Sequence, residues 1–307
     1  YYIAILIYLG TFVSIKGQQN NVFSQWCFNQ NSYNPALAGI KNYQELKMIS
    51  RFQWVGFEGA PNSHLINYST QIHSTRTEYL TPRHGLQFQY ENDNIGPIGT
   101  NRILVGYAFH RNFTKEARFS IGLRGGVTQL FFNNSKINTL QPDPTFNKNR
   151  TLYLPNVALG MWWNTKSYYI GLCIQELAQT NWDKLGTNSN FVSHIILSGG
   201  TKFEITNTLT FLPNILLIKT FNNPVRIDAI GYFDFNNKFK IGAGLRNNES
   251  FLGLFQLRIN HQFFVGYSID YVSNGLNTTN YLMSHEINFQ YAGEHIKDSE
   301  KLSCPMF

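Results

Sequence analysis

The chain has 307 residues and a formal net charge of +7, with 15% aromatic and only 14% charged residues. Soluble enzymes carry about a quarter charged residues, so this balance argues against one. A mean hydropathy of −0.24, with no long apolar run after residue 15, excludes a polytopic helical membrane protein. An aromatic, Gly- and Asn-rich chain of this kind fits an outer-membrane barrel, where lipid-facing apolar and lumen-facing polar residues dilute each other in any average. Lys and Arg are scattered rather than gathered into a stripe. The positive charge therefore reads as a basic lumen and solvated loops, with no nucleic-acid partner.

Residues 1–17 open with an apolar stretch too short to span a bilayer but suited to a secretory leader. We expect a signal peptide, truncated at its start, cleaved after Gly17 to leave Gln18. Residues 18–42 then read as a lumen plug or periplasmic segment, 43–292 as the barrel and 293–307 as a periplasmic tail. Within 18–42, Asn29, Asn34 and Pro35 favour turns over a regular strand. The amides could bond a polar lumen while Phe23, Trp26 and Phe28 wedge the segment in place. A purely structural filler and a direct partner contact remain equal readings of it.

The next segment, 51–61, begins in the first strand and turns through Gly56, Gly59 and Pro61, a tightly specified hairpin. Arg51 and Gln53 share parity and are expected to point inward, with Trp54 near the outer interface as girdle chemistry. From Tyr43 onward, period-2 runs predict strands at 43–53, 62–73, 84–93, 101–112, 117–130, 152–164, 167–177, 191–205, 208–220, 224–236, 238–247, 250–260, 262–272 and 281–292. That is about 14 antiparallel strands, the even number expected of a single-chain outer-membrane barrel. Parity alone does not separate this fold from a soluble sandwich, but loop lengths do. With both termini periplasmic, the connections near 113–116, 165–166, 206–207, 236–237 and 261 are short and periplasmic. Those near 94–100, 131–151, 178–190 and 273–280 are longer and extracellular; 74–83 is a periplasmic exception, and 54–61, 221–223 and 248–249 are short outside. Closure also removes the exposed edges such a sheet would otherwise carry.

Arg118, Arg124, Arg226, Asp228, Arg246, Asp270 and Glu286 have lumen parity. Facing one another across a narrow lumen, they are expected to form ion pairs that hold the barrel shut; a selectivity constriction is the alternative. Cys27, Cys173 and Cys304 lie too far apart for a metal-binding spacing, and at least one is unpaired. The 8 histidines show no helical i, i+4 pairing, and no phosphate loop or nucleophile motif is present. The expectation is no catalysis, no metal and no cofactor.

Two stretches carry a family resemblance. Phe23-Ser24-Gln25-Trp26-Cys27-Phe28-Asn29, then Tyr33-Asn34-Pro35-Ala36-Leu37-Ala38-Gly39, and Arg51-Phe52-Gln53-Trp54-Val55-Gly56 with Gly59-Ala60-Pro61 closely match one signature. It resembles that of PorP/SprF outer-membrane proteins of the type IX secretion system in Bacteroidota. Asp93-Asn94-Ile95-Gly96-Pro97, the 119–126 run, Gly266–Tyr271 and Ser284–Ile287 resemble further family segments. The resemblance implies a non-enzymatic outer-membrane component that supports export or surface anchoring of cargo such as gliding adhesins. Its implied partners are cargo C-terminal domains, periplasmic ring or motor components, and outer-membrane lipid. The alternative is a FadL-like or porin-like channel for small solutes.

Overall fold

The computed structural model describes residues 23–72, 81–114, 116–133, 150–178, 192–221, 223–247, 249–273 and 283–293. The expected leader 1–17 and almost all of the tail 293–307 lie outside them, as does most of the loops predicted at 74–83, 131–151, 178–190 and 273–280.

The strands are β1 Glu45–Phe52, β2 Asn62–Ile72, β3 Arg83–Ile95, β4 Ile98–Asn112 and β5 Arg118–Phe132. They continue as β6 Arg150–Asn164, β7 Tyr168–Gln175, β8 His194–Thr201, β9 Phe203–Thr206 and β10 Leu209–Thr220. The last are β11 Arg226–Phe235, β12 Phe239–Arg246, β13 Ser250–Arg258, β14 Phe263–Val272 and β15 Met283–Ala292. Successive strands pair, except that β8 and β9 both pair with β10 instead of with each other; β1 pairs with β15, and β10 with β11, so the sheet closes on itself. The strand expected at 191–205 is interrupted at Lys202 on its β10 side. There, pairing stops at Asn214 with Gly200 and resumes at Phe211 with Phe203, because Pro213 between them has no N–H to donate. On the β7 side the Lys202 N–H still donates to the Ser167 carbonyl at 2.7 Å. Counting β8 and β9 as one broken strand gives a closed barrel of 14 antiparallel strands.

The barrel is inside out relative to a soluble sandwich. Met48, Phe52, Ile103, Val105, Leu123, Leu245 and Ile287 are exposed on the outer wall, while the alternate positions Glu45, Lys47, Arg51, Arg118 and Arg124 are buried. No helix among the described residues is long and apolar enough to cross a membrane; the strands cross it. Short turns at 113–117, 165–167, 236–238 and 259–262 mark one end as periplasmic. Ring pairs cluster there, Phe113 with Trp163 at 5.9 Å, Phe235 with Phe239 at 4.4 Å and Phe263 with Tyr291 at 5.2 Å, as an interfacial girdle requires.

The connection expected as a long loop at 94–100 is instead two residues, 96–97, because Ile95 still pairs with Ile98. Gly96 supplies the φ of +55° that this tight turn needs.

Candidate functional site

Residues 23–43 run inside the ring of strands. Their local structure is three single turns: 3₁₀ turns at Trp26–Phe28 and Pro35–Leu37, with one α-turn at Gln30–Tyr33 between them. Asn34 stops the second turn and starts the third, its side-chain oxygen accepting from the Ala36 N–H at 3.0 Å. Its amide group donates to the Met161 carbonyl at 3.0 Å, which ties this corner to β6. The segment starts at the level of Arg51 near the outer end of β1 and finishes beside Arg118 at the periplasmic start of β5.

The polar wall grips the backbone of this segment directly. Glu286 accepts from the Ser24 N–H at 2.7 Å and the Gln25 N–H at 3.0 Å. Lys47 donates to the Phe28 carbonyl at 2.5 Å, Gln87 to Asn31 at 3.0 Å, Arg124 to Ser32 at 2.7 Å and Gln175 to Tyr33 at 2.8 Å. Lower down, the His110 ring nitrogen Nε2 lies 2.7 Å from the Ala38 carbonyl, and Arg118 donates to that of Ile40 at 3.0 Å. A chain without a long helix or strand must find partners for its buried carbonyls elsewhere. The wall side chains supply them.

The apolar half of the segment has its own seat. Trp26, Cys27, Phe28 and Tyr33 pack with inward-facing Ile196, Leu212, Leu216, Ile230, Tyr232 and Leu252. Phe28 meets Tyr232 edge-on with centroids 5.1 Å apart, and the Lys240 ammonium stands 5.6 Å above the Phe28 ring. Burial pushes the Cys27 thiol up to about 12 despite the opposing pull of Lys240. Burial likewise raises the Tyr33 phenol, whose oxygen accepts from the Phe23 N–H at 2.7 Å.

Close approach depends on glycines whose inward positions face the segment. A Cβ on Gly122 would overlap Pro35, one on Gly160 would overlap the Asn34 side chain, and one on Gly85 the Ala38 carbonyl. These seats, with Lys47, His110 and Tyr232, were not singled out from the sequence. A glycine at lumen parity inside a strand is the signal that finds them, since it marks a close backbone approach.

All of Phe23, Ser24, Gln25, Phe28, Asn29, Tyr33, Asn34, Pro35, Ala36 and Gly39 are buried. The expected ion pairs take a different course from the one read off parity. They run side by side along one arc of wall rather than across the lumen, because the segment fills the middle. Arg226 bonds Asp228 at 3.1 Å, Asp228 bonds Arg246 at 3.1 Å, Arg246 lies 3.4 Å from Asp270, and Asp270 is 2.6 Å from Arg51. Arg51 also reaches Glu286 at 3.3 Å. Arg118 and Arg124 do not join this chain; their guanidiniums spend donors on the carbonyls of Ile40 and Ser32. At the segment's exit, burial disfavours the Lys41 ammonium, but Glu45 at 2.6 Å outweighs it and raises the pKa.

In the first hairpin, Gly56 and Gly59 have φ of +99° and +74°, and Pro61 accepts from the Gln53 N–H at 2.9 Å. Gln53 lies just past β1 and is half-buried, unlike fully buried Arg51. Trp54 itself takes φ +46°, and its N–H donates to the Ser284 hydroxyl at 3.2 Å. The Gly59 carbonyl accepts from Gly96 at 3.0 Å, so this loop braces the short β3–β4 turn. Ala60 is half-buried between them.

Among the described residues no group of His, Cys, Asp or Glu is arranged to hold a metal ion. The profile of the type IX secretion system membrane protein PorP/SprF family matches residues 15–291, which takes in the lumen segment, the hairpin and every strand, β15 to its last residue but one. The chain belongs to the PorP/SprF family. This PorP/SprF protein is thus an outer-membrane β-barrel and a membrane component of type IX secretion, a family not defined by enzymatic activity. No curated protein sequence matches it. Among solved structures it is similar to the CymD monoaromatic hydrocarbon channel, at 10% identity and a TM-score of 0.55 over 91% of this chain and 96% of that one. The Acinetobacter baumannii outer membrane protein Omp33 aligns at 10% identity and a TM-score of 0.46 over 83% of this chain and 99% of that one. A Pseudomonas aeruginosa FadL homologue aligns at 8% identity and 0.44 over 82% and 89%. At these identities the CymD likeness speaks for the barrel fold alone.

Proposed function

We propose that this PorP/SprF barrel works as a non-enzymatic docking component of the type IX machinery, holding a cargo C-terminal domain or the periplasmic ring and motor at the outer membrane. The observation that carries this reading is the filled lumen. Residues 23–43 are covalently continuous with β1, and wall side chains hold them from end to end. A barrel so occupied offers its rims and loops as working surfaces rather than its interior. The outer loops around 131–151 and 178–190 are the proposed cargo face, and the 293–307 tail the proposed periplasmic contact.

The test is affinity purification of the tagged protein from detergent-solubilised outer membrane, with mass spectrometry of what accompanies it. Recovery of a large surface protein through its C-terminal domain, or of type IX ring components, supports docking. The rival, a solute channel, draws on the fold shared with the CymD channel. A barrel that purifies alone and conducts ions in a planar bilayer would overturn docking in favour of that rival.

A further inference from the structure

Above the lumen segment, at the outer end, the wall leaves a small, partly open recess between Phe23, Tyr33 and strands β3 to β7. Two opposite charges line it without meeting. Arg124 is 4% exposed and has no carboxylate within 4.0 Å among the described residues. Its Nη1 donates to neutral acceptors, the Ser32 carbonyl at 2.7 Å and the Gln89 side chain at 2.9 Å, while its Nε–H is buried with no partner.

Glu176 is the counterpart. It is 5% exposed and forms no ion pair with any described cation; the Asn156 amide donates to it at 3.1 Å. Its backbone sits at φ +56°, a left-handed conformation that a non-glycine residue rarely adopts. Such strain persists where surrounding structure enforces it, and it clusters at ligand clamps. Here the Leu177 N–H donating to Val157 at 3.0 Å and the Ser193 hydroxyl donating to the Glu176 carbonyl at 3.0 Å hold that turn in place. Burial raises the Glu176 carboxyl above its ordinary range, with Arg102 opposing. The other guanidinium of the recess, Arg102, is already matched by Glu91 at 2.9 Å.

We infer that this recess is a binding site for a small zwitterion, whose carboxylate pairs with Arg124 and whose ammonium pairs with Glu176. A phosphate dianion fits less well, because Glu91 and Glu176 stand in the same wall and repel it. Each end of a zwitterion instead meets a buried charge that lacks an ionic partner, and charge-assisted bonds to such groups are the stronger kind. The site faces the opposite way from the periplasmic ring contact and does not depend on the docking reading.

Calorimetric titration of the purified barrel in detergent, with glycylglycine as probe, tests this. Its N-acetyl derivative removes the cation and its C-terminal amide removes the anion, so wild-type protein alone reports both requirements. The expected result is saturable binding of glycylglycine and at least tenfold weaker binding of each blocked form, tenfold corresponding to about 1.4 kcal/mol. Glu176→Gln should then stop discriminating against the N-acetyl form, and Arg124→Gln against the amide. Absence of glycylglycine binding, equal binding of all three compounds, or unchanged discrimination in Glu176→Gln protein that keeps its heat-modifiable barrel mobility would overturn the proposal.

Discussion

The Arg51 guanidinium donates to the Asp270 carboxylate at 2.6 Å, reaching from the first strand past β15 to β14. Between them lies Glu286, directly opposite Arg51 in the β1–β15 register. Ser24 inserts at the same point, its hydroxyl donating to Asp270 at 2.6 Å and accepting from Arg51. One cluster therefore joins the seam that closes the barrel to the start of the chain inside it.

Arg51→Gln leaves two buried carboxylates, Asp270 and Glu286, with much of their compensation gone. Removing one partner of a buried pair costs about 3–5 kcal/mol, so the variant should lose that much stability. Ser24→Ala removes only hydroxyl bonds and should cost about 1 kcal/mol. Urea unfolding of both variants in detergent, followed by heat-modifiable gel mobility, checks the order. Equal losses would mean that Arg51 does not hold the seam.

Gly122 faces Pro35 so closely that any side chain there must displace the segment. We expect Gly122→Val to free residues 23–43 to protease and to produce ion conductance in planar bilayers. Gly125→Ala, with open space around its would-be Cβ, should behave as wild type in both assays. A Gly122→Val barrel that stays protease-resistant and silent would show that the segment is not seated as described.

Cys27 and Cys173 are both buried free thiols. In a Cys304→Ser background, folded protein should resist maleimide at pH 8, and label fully in denaturant. The Cys27 shift also sets a direction with pH. The thiol ionises at an ordinary 9.0 once the segment is released but only at about 12 when seated, so the released state binds fewer protons between those values. Stability of the seated state should thus be fully present below pH 9 and fall as pH rises towards 12. Cys27→Ala should remove that part of the alkaline loss, as read from protease protection across the range.

Asn236 and Asn237 carry φ of +52° and +55° in the turn between β11 and β12. Within the three-residue connection 236–238, closed by the Lys238 N–H donating to the Phe235 carbonyl at 2.9 Å, this left-handed pair is one that asparagine tolerates best among residues with a side chain. Asn237→Gly should be neutral, while Asn237→Val should cost about 1–2 kcal/mol and slow barrel assembly. Equal unfolding midpoints for the two variants would refute this account of the turn.

Much of the barrel was written in local pattern. Strand parity in 224–236 or 262–272 fixes which side chains face lipid, because neighbouring side chains of a strand point to opposite faces. The short periplasmic turns follow from the same reading, with Asn236-Asn237 as one example. The signature around Phe23–Gly39 and Arg51–Pro61 likewise carries the family in the sequence itself. Three things were not legible. The strand around Lys202 is broken because Pro213 of its partner β10 cannot donate to the ladder, and which strand lies opposite is decided only by closure. The connection at 96–97 stays short because β3 and β4 keep pairing to Ile95 and Ile98, a cooperative ladder property rather than a turn propensity. The partners of the lumen charges depend on what occupies the space between strands, and sequence spacing carries no information on that. Parity could say that Arg118, Arg124 and Arg51 point inward. Only closure of the ring around residues 23–43 decided that the first two would meet backbone carbonyls and the third would meet carboxylates.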